Sequence, residues 1–331
     1  MHVNLKHHGT PRRLSDRRRS VAEAEPYALP MRYGMQIDTA QPIPKVVEQV
    51  RQMADAGLST AACSQIFAYD ALTLLAVVGN QVPDIELMTA VVPTYPRHPM
   101  VLAAQALTVQ AAIGGRLTLG IGPSHQVVIE GMFGYSYERP ARHIREYLHA
   151  LLPLLNGEQV AYQGETLKAF TPGPLEVRAP APPVMIAALA PAMLRLAGSL
   201  TDGTITWMAG VRTIESHIAP TISAAAAKAG RKRPRIAVSL PVCVTSDPDL
   251  ARQRADESFA VYGQLPAYQA VLDREGVAGP GAVAIAGDDE SVSRQIAAFA
   301  EAGATDFIAA LYGSSEERPR TFSLLSQLAA S

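Results

Sequence analysis

The stretch IELMTAVVPTYPRHPMVLAAQALTVQAAIGGRLTLGIG (85–122) decides the fold. Its opening, IELMTAVV (85–92), is a short apolar run rich in Ile and Val, the pattern of a strand buried on both faces. MVLAAQALTVQAAI (100–113) reads as a helix stopped by Gly114-Gly115, and RLTLGIG (116–122) as the next strand. The same alternation runs outward in both directions. Upstream, MRYGMQI (31–37) reads as a strand and PKVVEQVRQMADA (44–56) as a helix, with Pro44 in its first turn and Gly57 past its end. STAAC (59–63) is a short strand, followed by a helix over 71–79. Downstream, a helix over roughly 140–155 precedes the strands PVMIAAL (183–189), GTITWM (203–208), RIAVSLPVCVT (235–245) and TDFIAAL (305–311). Helices over 191–200, 213–229, Asp247 to about Arg274, 289–302 and 317–329 lie among and after them.

Eight strand–helix pairs predict an α/β fold of the (β/α)8 TIM-barrel type. The competing architecture is a doubly wound open sheet, which normally carries a glycine-rich turn after its first strand. The turn here, DTAQPIP (38–44), has no glycine, so a dinucleotide site of that kind is not expected.

Composition narrows the function classes. The chain has 331 residues, 48% of them hydrophobic, and a formal net charge of −1. A near-neutral chain is not built to bind nucleic acid or a membrane surface as its main partner. No run approaches the ~18 apolar residues of a membrane span. The two cysteines, Cys63 and Cys243, both sit in apolar runs, which points to a reducing compartment and a cytoplasmic protein. The basic stretch LKHHGTPRRLSDRRRS (5–20) is nearly free of large apolar residues. Residues 1–30 are therefore expected to be a disordered extension of a barrel domain spanning 31–331.

Barrel enzymes place their chemistry at the C-terminal ends of the strands. Here those ends carry Asp38, Ser64 and Gln65, Val91 to Thr94, Gly122 to His125, Ala187 to Ala190, Trp207 and Met208, Cys243, and Tyr312. None of the spacings expected of a metal centre, a nucleophile elbow or a Walker loop occurs, so no metal is expected. A wall of small and apolar residues suits a large flat cofactor that carries the hard chemistry itself. The sharpest local feature is GRLTLGIGPSH (115–125). Gly122 lets backbone N–H groups approach an anion, Ser124 adds a hydroxyl, and His125 an imidazole that titrates near neutral pH. Two long connections, 156–182 and 265–287, have the length of lids or binding loops, and the first contains two short β-like pieces around Gly164.

The run TAVVPTYPRHPMVLAAQALTVQAAIGGRLTLGIGPSH (89–125) resembles the third and fourth strand units of the bacterial luciferase-like superfamily. Most similar is its actinobacterial branch, which uses the deazaflavin coenzyme F-420 (F420). RPARHIREYLHALLPLLNGEQVAYQGE (139–165), VMIAALAPAMLRLAGSLTDGTITWMAG (184–210) and GDDESVSRQIAAFAEAGATDFIAA (287–310) extend the resemblance over 31–328. It implies a non-prolyl cis peptide at Ala90-Val91, facing the ring of the cofactor. Gly122, Ser124 and His125 would cradle the phosphate, and Ser64, Ala187, Ala188 and Leu189 would line the ring or its side chain. Trp207 and Met208 would border cofactor or substrate, and Arg139 and Arg142 would meet the acidic tail of F-420.

One departure matters. Sugar-phosphate dehydrogenases of this family carry an Asp-His pair at the end of strand two and a Glu at the strand-four turn. This chain has Ser64-Gln65 and His125 there. That favours a reductase, with His125 as proton donor and Gln65 hydrogen-bonding substrate or ring. The expected activity is hydride transfer between F-420 and a small organic substrate. The alternatives are an FMN-dependent monooxygenase and a flavin-binding protein without turnover. The resemblance also implies a homodimer.

Overall fold

Eight apolar runs become eight parallel strands in the computed structural model, which describes residues 30–331; the basic stretch 1–29 lies outside them. They are β1 (Arg32–Gln36), β2 (Thr60–Cys63), β3 (Glu86–Thr89), β4 (Leu117–Gly122), β5 (Val184–Ala187), β6 (Gly203–Trp207), β7 (Arg235–Val244) and β8 (Asp306–Leu311). Each pairs with its neighbour in sequence, and β8 returns to β1, with Gly34 opposite Ile308, to close the barrel. The expected (β/α)8 barrel is the fold observed.

Helices wrap the barrel as the proline and cap positions dictate. Pro99, Pro140 and Pro191 each open a helix, at the position where a missing N–H costs nothing. Asp70 and Asp288 cap the helices Ala71–Gln81 and Asp289–Glu301 by accepting from Thr73 N and Ser291 N at 2.9 and 2.8 Å. Between helices and strands lies the main core, including Val46, Leu75, Leu102, Leu148, Leu194 and Ile222. A second apolar cluster, made of Ala62, Met88, Met185, Ile205, Ala237 and Ile308, fills the barrel itself. Gly120 belongs to this crowded layer, because a Cβ there would overlap the Thr89 carbonyl.

The N-terminal end of the barrel is closed by charge. Arg235 reaches Glu86 at 2.8 Å and Asp306 at 2.6 Å, and Arg32 pairs with Glu86 as well. Burial alone would raise the Glu86 pKa, but the two guanidiniums outweigh it and hold the carboxyl below its usual range.

Several element boundaries differ from the sequence reading. The run 85–92 is not one strand: β3 ends at Thr89, and pairing with β4 resumes at Val92–Pro93. Between them stands the non-prolyl cis peptide Ala90-Val91, where the resemblance put it. The connection 265–287 holds the helix Pro266–Glu275 and a short strand, Ile285–Gly287, that pairs with the outer end of β7. In 156–182 the two β-like pieces form an antiparallel hairpin, Ala161–Gln163 with Lys168–Phe170. Glu146 ties the hairpin to the helix Pro140–Leu155 by accepting from Thr166 N and Oγ1, both at 2.7 Å. No helix among the described residues is long and apolar enough to cross a membrane.

Candidate active site at the barrel mouth

Side chains along a strand alternate between faces, so residues two positions beyond the interior cluster sit at the mouth. Beyond Ala62 comes Ser64, beyond Met88 Ala90, beyond Met185 Ala187, beyond Ile205 Trp207, and beyond Ala237 Ser239. Gln36 occupies the same layer on β1. The cluster residues are buried, whereas Gln36, Ser64, Ala90, Ala187 and Trp207 are partly exposed, as residues lining an opening should be.

This layer makes a floor of small side chains crossed by one polar seam. A Cβ on Gly122 would lie 3.0 Å from Val91 Cγ2 and 3.1 Å from Ala187 Cβ, so Val91, Gly122 and Ala187 form one continuous surface. Ser64 Oγ donates to the Ala90 carbonyl at 2.8 Å and lies 3.2 Å from Gln36 Oε1. Gln36 Nε2 donates to Ser239 Oγ at 3.2 Å, and Ser239 donates to the Ile308 carbonyl at 2.8 Å.

The β4 turn borders this floor. Ser124 has φ +61°, a left-handed conformation that few non-glycine residues adopt. Thr94 N and Oγ1 both donate to the Gly122 carbonyl, at 3.0 and 3.3 Å, while Tyr137 Oη donates to the Ser124 carbonyl at 2.8 Å. His125 opens the short helix Gln126–Ile129. Its ring is half-buried and makes no hydrogen bond among the described residues, and burial pushes its pKa below the usual imidazole range.

An arc of aromatic rings runs along the mouth from Trp207 on β6 to His125 after β4. Trp207 meets Phe259 and Tyr262 edge-on at 5.6 and 5.7 Å. Tyr262 meets Tyr268 at 5.1 Å, and Tyr268 meets His125 at 5.7 Å. Phe259, Tyr262 and Tyr268 all come from the segment between β7 and Ile285, so this connection is a lid spanning from β6 to β4. The Trp207 indole N–H is buried near the Tyr262 hydroxyl and has no hydrogen-bond partner among the described residues. Tyr95 Oη, beside Tyr137, is also buried and unpartnered among the described residues.

The sequence-derived candidates divide accordingly. Ser64, Ala90, Val91, Gly122, Ser124, His125, Ala187 and Trp207 come together at the mouth. Ala188 and Leu189 do not, because they pack into the core between strands and helices. Met208, the residue after the end of β6, is buried, with φ +58°. Gln65 Oε1 accepts from Ala71 N at 3.2 Å, which binds the carbonyl end of its side chain to a helix start. Arg139 and Arg142 both pair with Glu165 of the hairpin. Sequence reasoning missed Gln36 and Ser239, whose signal is a lone polar residue in an apolar strand. It missed the lid tyrosines, which carry no motif. Among the described residues no group of His, Cys, Asp and Glu is arranged to hold a metal ion.

Comparisons with known proteins agree with the fold. A family model described as luciferase-like monooxygenase matches residues 27–306. The 5,10-methylenetetrahydromethanopterin reductase of Methanolobus tindarius is 28% identical over 252 residues, 75% of this chain and 76% of that protein. A putative coenzyme F420-dependent oxidoreductase of Mycobacterium tuberculosis is 32% identical over 193 residues, 52% of this chain and 54% of that protein. Among solved structures, the coenzyme F420-dependent tetrahydromethanopterin reductase of Methanopyrus kandleri superposes with a TM-score of 0.77 at 20% identity, covering 90% of this chain and 98% of that one. The oxygenating component of a Pseudomonas putida 3,6-diketocamphane monooxygenase in complex with FMN gives 0.71 at 18% identity, covering 91% and 98%. With the family model spanning most of the barrel, the chain belongs to the luciferase-like monooxygenase family.

Proposed function

We propose that this chain is an F420-dependent reductase that transfers a hydride to a small organic acceptor, such as an activated alkene or imine. The observation that carries the reading is the floor of small residues at the barrel mouth, bordered by an arc of aromatic rings and by a turn whose backbone donors have no partner among the described residues. Such a mouth suits a flat ring bearing a phosphate. Ala90, Val91 and Ala187 would lie against the ring, Ser64 would sit at its edge, and Gly122, Ser124 and His125 would hold the phosphate. When bound, the deazaflavin offers hydride from a carbon where a flavin has its reactive nitrogen, which favours two-electron transfer.

The protein then needs to orient the acceptor, exclude water and deliver one proton. Trp207, Tyr262 and Tyr268 border the ring site at the mouth, and their rings would exclude water from a bound ligand. The unpartnered Trp207 N–H is a donor for a polar group on the ligand. His125 stands at the turn after β4, its ring nitrogens without a hydrogen bond among the described residues, and would supply the proton. Ser64 and Gln65 replace the acid–base pair that alcohol oxidation requires, which supports reduction as the working direction. The test is to supply F420 reduced with deuterium at its hydride-bearing carbon, together with a cyclic enone. Enzyme-dependent deuterium in the product supports the reading, and binding of F420 without deuterium transfer reduces the protein to a carrier.

A further inference from the structure

We propose that Tyr137 is a positioning residue for the turn Gly122–His125, aiming its backbone N–H groups at the phosphate of the bound cofactor. This inference rests on the cofactor reading above but concerns a residue outside the mouth. Ser124 sits in the left-handed region, which disfavours a side-chain-bearing residue by about 1 kcal/mol. A turn in that state needs an external hold, and the structure supplies one on each side. Thr94 grips the Gly122 carbonyl by two donors, and the Tyr137 hydroxyl takes the Ser124 carbonyl at 2.8 Å.

The second hold determines where the donors point. In a planar trans peptide the C=O and the following N–H point in opposite directions. Because the Ser124 carbonyl is turned outward to Tyr137, the His125 N–H of the same peptide is turned the other way. The N–H groups of Ser124 and His125 have no acceptor among the described residues. Unsatisfied backbone donors beside a small-residue floor are what an anion requires.

Tyr137 is itself held in place. Its backbone N donates to Glu130 Oε1 at 3.1 Å, and its ring stacks on Tyr95 at 5.5 Å. Tyr95 stacks on His143 at 3.9 Å with 14° between the planes, and His143 Nε2 lies 3.0 Å from Thr94 Oγ1. A column of rings therefore runs from the helix Pro140–Leu155 to the turn and joins its two holds. Burial raises the pKa of the Tyr137 hydroxyl, so it keeps its proton and remains a donor.

The experiment uses Tyr137→Phe in the full chain, which keeps the ring column and removes only the hydroxyl. Wild type and variant are titrated by fluorescence with F420 and its phosphate-free deazariboflavin core, and in parallel with FMN and riboflavin. The variant should bind the phosphate-bearing ligand about fivefold more weakly, the worth of one neutral hydrogen bond, and the phosphate-free core within about twofold of wild type. Equal weakening for both ligands, a general loosening of the mouth, overturns the inference, as does unchanged affinity for the phosphate-bearing one. Wild-type protein that binds neither F420 nor FMN overturns the functional reading and this inference together. A selective loss for FMN over riboflavin upholds Tyr137 while replacing F420 with FMN.

Discussion

Acidification should destabilise this protein through His143 before it weakens the paired carboxylates Glu86, Glu146 and Glu317. His143 is 8% exposed, stacked on Tyr95 and tilted against Tyr147 at 5.7 Å, with the Glu146 carboxylate the one charge acting on it. Burial drives its pKa from 6.5 down to about 4, and Glu146 opposes that shift without cancelling it. The unfolded chain takes up this proton near pH 6.5, whereas the folded chain resists until about pH 4. The associated stability is therefore complete above pH 6.5 and is lost as the pH falls through the interval to about 4. At ~1.4 kcal/mol per pH unit, the loss is about 2 kcal/mol by pH 5 and about 3 kcal/mol in full. Glu86, Glu146 and Glu317 all have pKa values lowered from 4.5, so their contributions fade only at lower pH. His143→Gln keeps a hydrogen-bond partner for the Thr94 hydroxyl but cannot titrate. Urea unfolding of both proteins at pH 7.5, 6.5, 5.5 and 5.0 measures the difference. Wild type should lose about 2 kcal/mol more than the variant between pH 7.5 and pH 5. Parallel losses would show that the buried imidazole accepts its proton as easily folded as unfolded, and would refute the argument.

The proton-donor role of His125 predicts a pH–rate profile. Its pKa lies below the usual range, so the protonated fraction, and with it turnover by reduced F420, should climb as the pH falls from 7.5 toward 5.5. In His125→Ala that climb should disappear. At the other end of the barrel, Arg235→Gln removes one of the two guanidiniums that hold Glu86 and Asp306 and leaves both carboxylates to Arg32. Urea unfolding should show a loss of about 2 kcal/mol, less than the ~3–5 kcal/mol of a buried carboxylate left wholly unpaired, with cofactor affinity unchanged because the network lies far from the mouth. Ala187→Leu raises a branched side chain from the floor, where Gly122 already leaves no room for a Cβ without pressing on its neighbours. Cofactor binding should weaken at least about tenfold, measured by titration, while the circular dichroism spectrum is retained.

Barrel strands are legible in a sequence because each must be apolar on both faces, and the runs 116–122, 183–189 and 235–245 show this plainly. What alternation does not reveal is where pairing stops. The run 85–92 looks continuous, yet the ladder breaks after Thr89, since backbone geometry is not encoded in hydropathy. The same limit applies at the end of β5. Ala187, Ala188 and Leu189 read alike, but only Ala187 lies on the inner face and the other two pack into the core. The turn at Gly122 to His125 is legible as the end of a strand at the barrel mouth, because glycine and proline there stop the apolar run before the next helix. Tyr95, Tyr137 and His143, which stack into one column, lie as much as 48 residues apart in sequence, from 95 to 143, and only the fold brings them together. The lid tyrosines Tyr262 and Tyr268 sit in helical segments whose outward pattern is that of any surface helix.

The most direct test of the account is a fluorescence-quenching titration of the purified protein with F420 and, in parallel, with FMN. Micromolar or tighter binding of F420 with markedly weaker binding of FMN is the predicted result. The reverse preference would place the protein with the FMN-using monooxygenases, and binding of neither would contradict the assignment of the barrel mouth as a cofactor site.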